Sequence, residues 1–510
     1  MRHLGRSAIT IPIKGLICLA CFLGIGRLMS QSNSAVYYIN HWKNSVRTLT
    51  KDSADFIGLP YPYSTPTLAG NMMFQEMYYW DTYFINRGLL AYGSHPQRGG
   101  ESTADEKLAI QQAVNNVDNL IFLVNKLGFV PNANRYSMTN RSQPPLLGAM
   151  IADIFNVTGD VVWLSKALEA LEKEHHWWME NRSLNLSPSE YAGIKVGKHD
   201  IASLRLNHYG NNADDAFLIR FSKFLSGRLG PQFDSLYLSL HWDSFVGGYG
   251  QKRTKGLRLA SHLLAEAESG WDFTTRFNAR CMSIAPLDLN CLLYLTEKTL
   301  EKGYRTLHDQ KKSRHWKRVS KIRKALINKL FYDKHTGWYW DYDLAKREIN
   351  FNHNAAQFMP YFVGLVKHNF RNKSALARLS NIYIGKFGVH PCLPLSKDSL
   401  SIASNRVQWK TQWDSPNAWP PLTHFAAQAI QNYSNGNGKL GNLLLNVKRN
   451  QLIISFMESV EVQFEITQKF WEKYNIDYGT LQVVNEYPMP DFFGWTAGIY
   501  MEYRLEFAGP

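Results

Sequence analysis

Five separated stretches of this 510-residue chain crowd carboxylates and amides among aromatic rings. The one with the sharpest chemistry is Ala267-Glu268-Ser269-Gly270-Trp271-Asp272-Phe273-Thr274-Thr275-Arg276-Phe277. It sets Asp272 between a Gly-Trp pair and a Phe, beside a glycine that lets the backbone bend or approach a ligand. A carboxyl walled by rings has a costly charged form, so its pKa is expected to rise. That is the setting of a general acid working near neutral pH. Taken alone, the stretch reads equally as a buried Asp capping a helix.

The other four stretches have the same flavour. Residues 74–84 intersperse Glu76 and Asp81 with Phe74, Tyr78, Tyr79 and Trp80, a set able to stack on a sugar and grip its hydroxyls, or to start an aromatic-rich helix. Residues 130–135 and 140–145 hold Asn132, Asn134, Arg135, Arg141 and Gln143 in proline-pinned loops, where an Arg presents a rigid fork of donors. Residues 408–421 pack Trp409, Trp413 and Trp419 with Gln408, Gln412 and Asp414, a density beyond what a connecting loop needs. The last runs through Trp471-Glu472-Lys473-Tyr474-Asn475, Asn485-Glu486-Tyr487-Pro488 and Phe493-Gly494-Trp495-Thr496. Glu472 beside Lys473 reads by itself as a surface ion pair of little worth. Glu486 in its aromatic loop reads as a candidate ligand-binding carboxylate.

These loops need a scaffold, and the spacing of apolar residues predicts a helical one. They recur at three and four over 108–127, 145–155, 161–178, 287–302, 316–330, 358–366, 374–384 and 422–433. Helical hairpins packed about one centre would gather the loops at one end, where sites usually lie. Residues 182–216 and 474–498 are less helical, and the chain closes on the alternating Ile499-Tyr500-Met501-Glu502-Tyr503-Arg504-Leu505. No linker interrupts residues 67–510, so they read as one domain. Residues 35–66 end in Pro60, Pro62 and Pro66 and read as an extended lead-in.

Composition narrows the function classes. Hydrophobic residues are 45% and charged ones 19%, a globular balance rather than a disordered one. The formal charge of +15 includes a dense run over 311–329, where Val319, Ile322, Leu326 and Ile327 recur at helical spacing. This reads as a solvated amphipathic face; no zinc-finger, RRM or P-loop spacing accompanies it, and no nucleic-acid partner is expected. Residues 1–34 carry Arg2, Arg6 and Lys14 before an apolar run over 15–26, the pattern of a signal peptide or short N-terminal anchor. The expected address is therefore outside the cytoplasm: periplasmic, secreted, or surface-anchored, with membrane contact only through that segment if it stays uncleaved or is lipidated. Of the five cysteines, Cys281, Cys291 and Cys392 lie in the body, too few for a disulfide framework and without zinc spacing.

Taken in order, these motifs resemble the trehalases, the inverting α,α-trehalose glucohydrolases (glycoside hydrolase family 37-like), in a divergent form. Tyr79-Trp80-Asp81-Thr82-Tyr83 is similar to that family's first signature, and residues 412–421 follow its second closely. Arg141-Ser142-Gln143-Pro144-Pro145, residues 268–273, Pro286-Leu287-Asp288-Leu289-Asn290, residues 337–343 and Glu472-Lys473-Tyr474 resemble further blocks. The resemblance runs from about residue 74 to the C-terminus. It implies an all-α (α/α)6 barrel with the site at one mouth, no metal and no organic cofactor, a small-molecule sugar substrate and a monomeric enzyme. It implies Asp272 as general acid and Glu472 as general base. Two carboxylates about 6.5–9.5 Å apart, with a water between one of them and the sugar, give inversion. It implies that Phe74, Trp80, Asp81, Asn132, Arg141, Gln143, Gly270, Trp413, Trp419, Glu486 and Trp495 hold and wall the sugar.

The chain departs from the family pattern at three places. Met73 stands where the first signature has an Arg that binds substrate. The Arg-Pro-Glu segment before the acid is absent, with residues 207–215 in that region, and residues 479–485 replace a glycine-rich run. Altered hydroxyl contacts change discrimination, so cleavage of another α-glucoside or α-mannoside is the second expectation. A sugar-binding protein without turnover is the alternative of a different class, and it has no need of both Asp272 and Glu472.

Overall fold

The structure, a computed structural model, describes residues 32–95, 102–195, 204–230, 255–393, 411–435 and 442–508. The leader read at 1–34 lies outside the described residues up to position 31.

The chain begins with α1 (Asn33–His41), α2 (Tyr79–Gly93), α3 (Ala104–Leu127), α4 (Leu147–Thr158) and α5 (Val161–Asn181). A side pair follows, α6 (Asp215–Leu229) and α7 (Lys255–Ser269). Then come α8 (Leu287–Thr306), α9 (Gln310–Leu330), α10 (Met359–Phe362), α11 (Phe370–Tyr383), α12 (Pro420–Asn435), α13 (Leu443–Thr467) and α14 (Gly494–Ala508). Helix α2 packs on α4, α4 on α8, α8 on α10, α10 on α12, α12 on α14, and α14 closes back on α2. These six form an inner ring. Helices α1, α3, α5, α9, α11 and α13 alternate with them in sequence and lie outside, each against its neighbours, as α9 does on α8 and α13 on α12. The result is the (α/α)6 barrel the motifs imply.

The spacing locates helices of both rings, α3, α5, α9 and α11 outside and α4, α8 and α12 inside. Helix α9 buries Val319, Ile322, Leu326 and Ile327 and turns Lys317, Arg318 and Lys321 to solvent, as the spacing predicts. Helix α3 is started by a capping box between Thr103 and Glu106 and stopped by left-handed Gly128. Inner helices α2 and α14 are covered by neighbours on both sides and lose that signal, whereas α4, α8 and α12 of the same ring lie where the spacing predicts helices. In α14 residues 499–504 are all buried, so the alternation at the C-terminus belongs to a helix with no polar face. Its approach to α2 is glycine-dependent: a Cβ on Gly498 would collide with the Phe84 carbonyl oxygen.

Two further expectations change. Residues 35–66 are not simply an extended lead-in: they open within α1, and Tyr38, Trp42, Ile57, Leu59 and Tyr63 join the main core. The reason is burial, since an apolar face on α1 packs on α13 and α14. The helix read at 358–366 is a 3-10 turn, Ala355–Phe358, running into the single turn of α10; left-handed Gly364 ends it. Within 182–216, β1 (Ser183–Asn185) pairs antiparallel with β2 (Arg205–Asn207) before α6 begins. Cys281, Cys291 and Cys392 are buried free thiols.

Candidate active site

One mouth of the barrel holds an open pocket of about 170 Å³. Its lining includes Phe74, Trp80, Asp81, Asn132, Arg141, Gln143, Gly270, Asp272, Trp413, Trp419, Glu472, Glu486 and Trp495, every residue that the family resemblance assigns to the site. Tyr78, Met138, Gln412, Tyr487 and Phe493 also line it. Gln412, Tyr487 and Phe493 fall inside the motif stretches, whereas nothing around Met138 marks it in the sequence.

Asp272 sits in the loop after α7. Gly270 there is left-handed at φ +76, and a Cβ on it would meet the Trp80 ring at 2.9 Å. The glycine is thus required both by its backbone and by the ring it supports. Ser269 Oγ accepts from the Trp271 amide at 3.1 Å and donates to the Glu266 carbonyl at 2.6 Å. On the far side of Asp272 the loop is clamped by Asp414, whose carboxylate accepts from Thr274 Oγ1 and the Thr275 amide, each at 3.0 Å. Four residues on, the buried Arg276 binds Asp288 at 2.9 and 2.8 Å and Asp341 at 3.1 and 3.0 Å. Buried Glu268 ties the same loop to two others, accepting from the Ser142 amide at 2.8 Å, the Gly210 amide at 2.6 Å and Arg182 Nε at 2.8 Å. The motif blocks around Asp288 and Asp341 therefore position the site without lining it.

Glu472 comes from the loop after α13, on the other side of the barrel in sequence. Its Oε2 accepts from Lys473 Nζ at 2.7 Å, and its Oε1 accepts from the Tyr487 hydroxyl. Glu472 and Lys473 are 1% and 0% exposed, so the pair is internal and not the surface ion pair its sequence suggests by itself. Lys473 Nζ is 4.6 Å from the centre of the Trp419 ring. Strand β4 (Tyr474–Asn475) pairs with β3 (Asn417–Ala418), which locks the Glu472 loop to the tryptophan-rich one.

The electrostatics of the acids follow from crowding in a dry pocket. Burial pushes Asp272 up to about 6; Arg141 opposes the shift, while the Glu472 charge adds to it. Burial raises Asp81 to about 8, with Glu472 and Asp272 contributing. Burial raises Glu486 to about 7, Asp272 adding and Arg228 opposing. Perturbed acids gathered in one cleft are a mark of a reactive site.

The rings and donors make a sugar-sized box. Trp413 lies flat on Trp419 at 3.8 Å, Trp80 is tilted to Trp413 at 5.6 Å, and Trp495 stands edge-on to Trp80 at 5.9 Å. Trp419 is wholly buried behind Trp413 and gives its Nε1–H to the Gln412 carbonyl at 3.0 Å. Gln143 Oε1 accepts from the Trp80 amide at 3.0 Å. Arg141 Nε and Gln412 Oε1 are buried without a protein partner, which leaves a donor and an acceptor for a ligand.

Glu76 and Asp81, read together from the sequence, part company. Asp81 lines the pocket, while Glu76 turns away to pair with Arg135 and accept from Tyr78 at 3.3 Å. Within 207–215 the side chains serve the scaffold: Asn207 donates to the Trp178 and Arg182 carbonyls, Asn211 to the Ser261 carbonyl, and Asp214 caps α6.

The chain matches the family model described as Trehalase over residues 31–214 and 239–508. It is 29% identical over 471 residues to the periplasmic trehalase of Citrobacter koseri, covering 90% of this chain and 71% of that protein. With the periplasmic trehalase of Shigella flexneri it shares 28% over 457 residues, 87% of this chain and 68% of the other. In structure it resembles neutral trehalase from Saccharomyces cerevisiae, with TM-score 0.62, 22% identity, and 93% of this chain and 80% of that one covered. The GH63 mannosylglycerate hydrolase of Thermus thermophilus shares the fold at TM-score 0.56 and 13% identity, over 92% and 99% of the two chains. With the family pattern running through both sides of its pocket, this chain belongs to the trehalase family of glycoside hydrolases.

Proposed function

We propose that the protein hydrolyses α,α-trehalose to two glucose molecules with inversion, Asp272 acting as general acid and Glu472 as general base. The observation that carries this reading is the contrast between the two buried carboxyls in one pocket. Asp272 is pushed up to about 6 by burial and so keeps its proton to a higher pH than an ordinary carboxyl. Glu472 instead has an ammonium 2.7 Å away as counter-charge, in Lys473. A protonated acid serves the leaving oxygen, and a carboxylate serves water on the opposite face. Phe74, Trp80, Trp413 and Trp495 give the sugars rings to stack on. Asp81, Asn132, Arg141, Gln143 and Glu486 give their hydroxyls partners, Gly270 gives Trp80 its place, and Trp419 backs Trp413.

Met73 in place of an arginine, and the scaffold duties of 207–215, favour a second reading: another α-glucoside or α-mannoside in the outer part of the pocket. Export is part of the proposal, supported by the leader pattern at 1–34 and by relatives described as periplasmic trehalases. The protein is proposed to act as a monomer.

Proton NMR of the purified protein with α,α-trehalose tests the reading directly. Release of one α- and one β-glucose as the first products is expected, and Asp272→Asn and Glu472→Gln should each slow it by about 100-fold or more. Two α-glucose molecules would refute inversion; intact trehalose beside another cleaved α-glycoside would move the assignment to the second reading.

A further inference from the structure

The family match breaks between residues 214 and 239, and α6 lies in that gap. This helix nonetheless reaches Glu486, a residue of the pocket lining. Arg228, in its last turn, donates through Nη1 to a Glu486 carboxylate oxygen and through Nη2 to the Glu486 carbonyl at 3.3 Å. Its guanidinium also lies 4.8 Å from the centre of the Phe273 ring, the residue next to Asp272. Gln412 Nε2 donates to the other Glu486 oxygen. Glu486 is thus gripped from two sides, by a helix outside the family pattern and by a loop inside it.

We propose that Arg228 is a specificity-setting positioning residue: it fixes the Glu486 carboxylate across the outer part of the pocket and thereby sets which second sugar is accepted. The inference rests on the glycosidase reading above. A carboxylate free to rotate offers its lone pairs in many directions, whereas one held at both oxygens presents them to a fixed pair of neighbouring hydroxyls. Arg228 is exposed and Glu486 half-buried, whereas Trp80 and Asp81 are buried, which puts the pair nearer the opening. The sugar they meet is therefore the outer one. Helix α6 thus brings a guanidinium to Glu486, a residue of the pocket lining, from outside the family pattern. The packing of α6 supports the assignment. It lies on α7 over a small separate core of Leu218, Leu225, Leu259, Leu263 and Phe273, so its position is coupled to the Asp272 loop.

The test is steady-state kinetics of the full chain and of Arg228→Ala, Arg228→Lys, Glu486→Gln and the Arg228→Ala/Glu486→Gln double variant. Substrates are α,α-trehalose and α-glucosyl fluoride, which has no second sugar. We expect Arg228→Ala to lower kcat/KM for trehalose roughly 10- to 100-fold, mostly through KM, the cost of losing a charge-assisted hydrogen-bond partner. The ratio of kcat/KM for trehalose over that for fluoride should fall, Lys should restore part of it, and the double variant should be no worse than Glu486→Gln alone. Additive losses, equal losses on both substrates, or no loss would overturn the proposal, and a thermal melt of each variant identifies one that has merely unfolded. In that event Arg228→Lys, which keeps the charge, still reports through the ratio. A wild-type protein that turns over neither substrate would refute trehalose as the substrate and this proposal with it.

Discussion

Tyr487 donates its hydroxyl to one oxygen of Glu472 while Lys473 holds the other at 2.7 Å. The carboxylate proposed to activate water is thereby oriented by two neighbours that do not themselves take part in the chemistry. Tyr487→Phe should keep the fold and lower kcat/KM for trehalose by about tenfold, the cost of one hydrogen bond to a charged group. Equal kinetics for the variant and the parent would remove Tyr487 from that role.

Asp272 must carry its proton to serve as an acid. Burial holds its proton to about 6, so kcat/KM should decline as pH rises through that region. The limb belongs to the whole cluster, because Asp81 and Glu486 share its field. Asp272→Asn should lower kcat by about 100- to 10,000-fold. A rate that keeps climbing well past neutral pH would argue against Asp272 as the proton donor.

Gly270 combines a left-handed backbone, φ +76, with a Trp80 ring 2.9 Å from where a Cβ would stand. Gly270→Ala should cost about 1–3 kcal/mol of stability, by chemical denaturation, and displace Trp80 enough to weaken trehalose binding. An alanine variant with parental stability and KM would mean the ring can retreat freely.

Arg276 and its two aspartates form a fully buried cluster beneath the Asp272 loop. Asp341→Asn leaves the guanidinium short of a counter-charge in a dry interior. The expected loss is about 3–5 kcal/mol, read from urea unfolding. A loss under about 1 kcal/mol would place the cluster's weight on Asp288 alone.

Glu174 is a buried carboxyl of the scaffold, held by the Tyr79 hydroxyl at 2.5 Å and raised to about 7 by burial. Its folded form keeps a proton that the unfolded chain releases above its ordinary value of 4.5. Stability is therefore full below about 4.5, falls as pH rises toward 7, and levels off above that. Glu174→Gln should remove about 3 kcal/mol of that decline. Denaturation curves at pH 5 and pH 7, unchanged in their difference by the substitution, would contradict this.

The chemistry of the site was legible in the chain because each segment carries its own concentration of acids, amides and rings, and because these segments occur in the trehalase order. The outer helices α3, α5 and α9 were legible as well, since one face of each meets water and imposes a 3.6-residue period. So were α4, α8 and α12 of the inner ring, but α2 and α14 were not, because neighbours cover these two on both sides and leave no polar face to mark their turns. Sequence spacing could not decide that Asp81 would enter the pocket while Glu76 turned to Arg135, since that depends on which loop lies behind residues 76–81. Nor could it bring Arg228 to Glu486: the two are 258 residues apart, and no motif surrounds the arginine. Residue types determined what reactions the chain can support, and closure of the ring decided which of those residues share one dry pocket, where burial and neighbouring charge set their protonation.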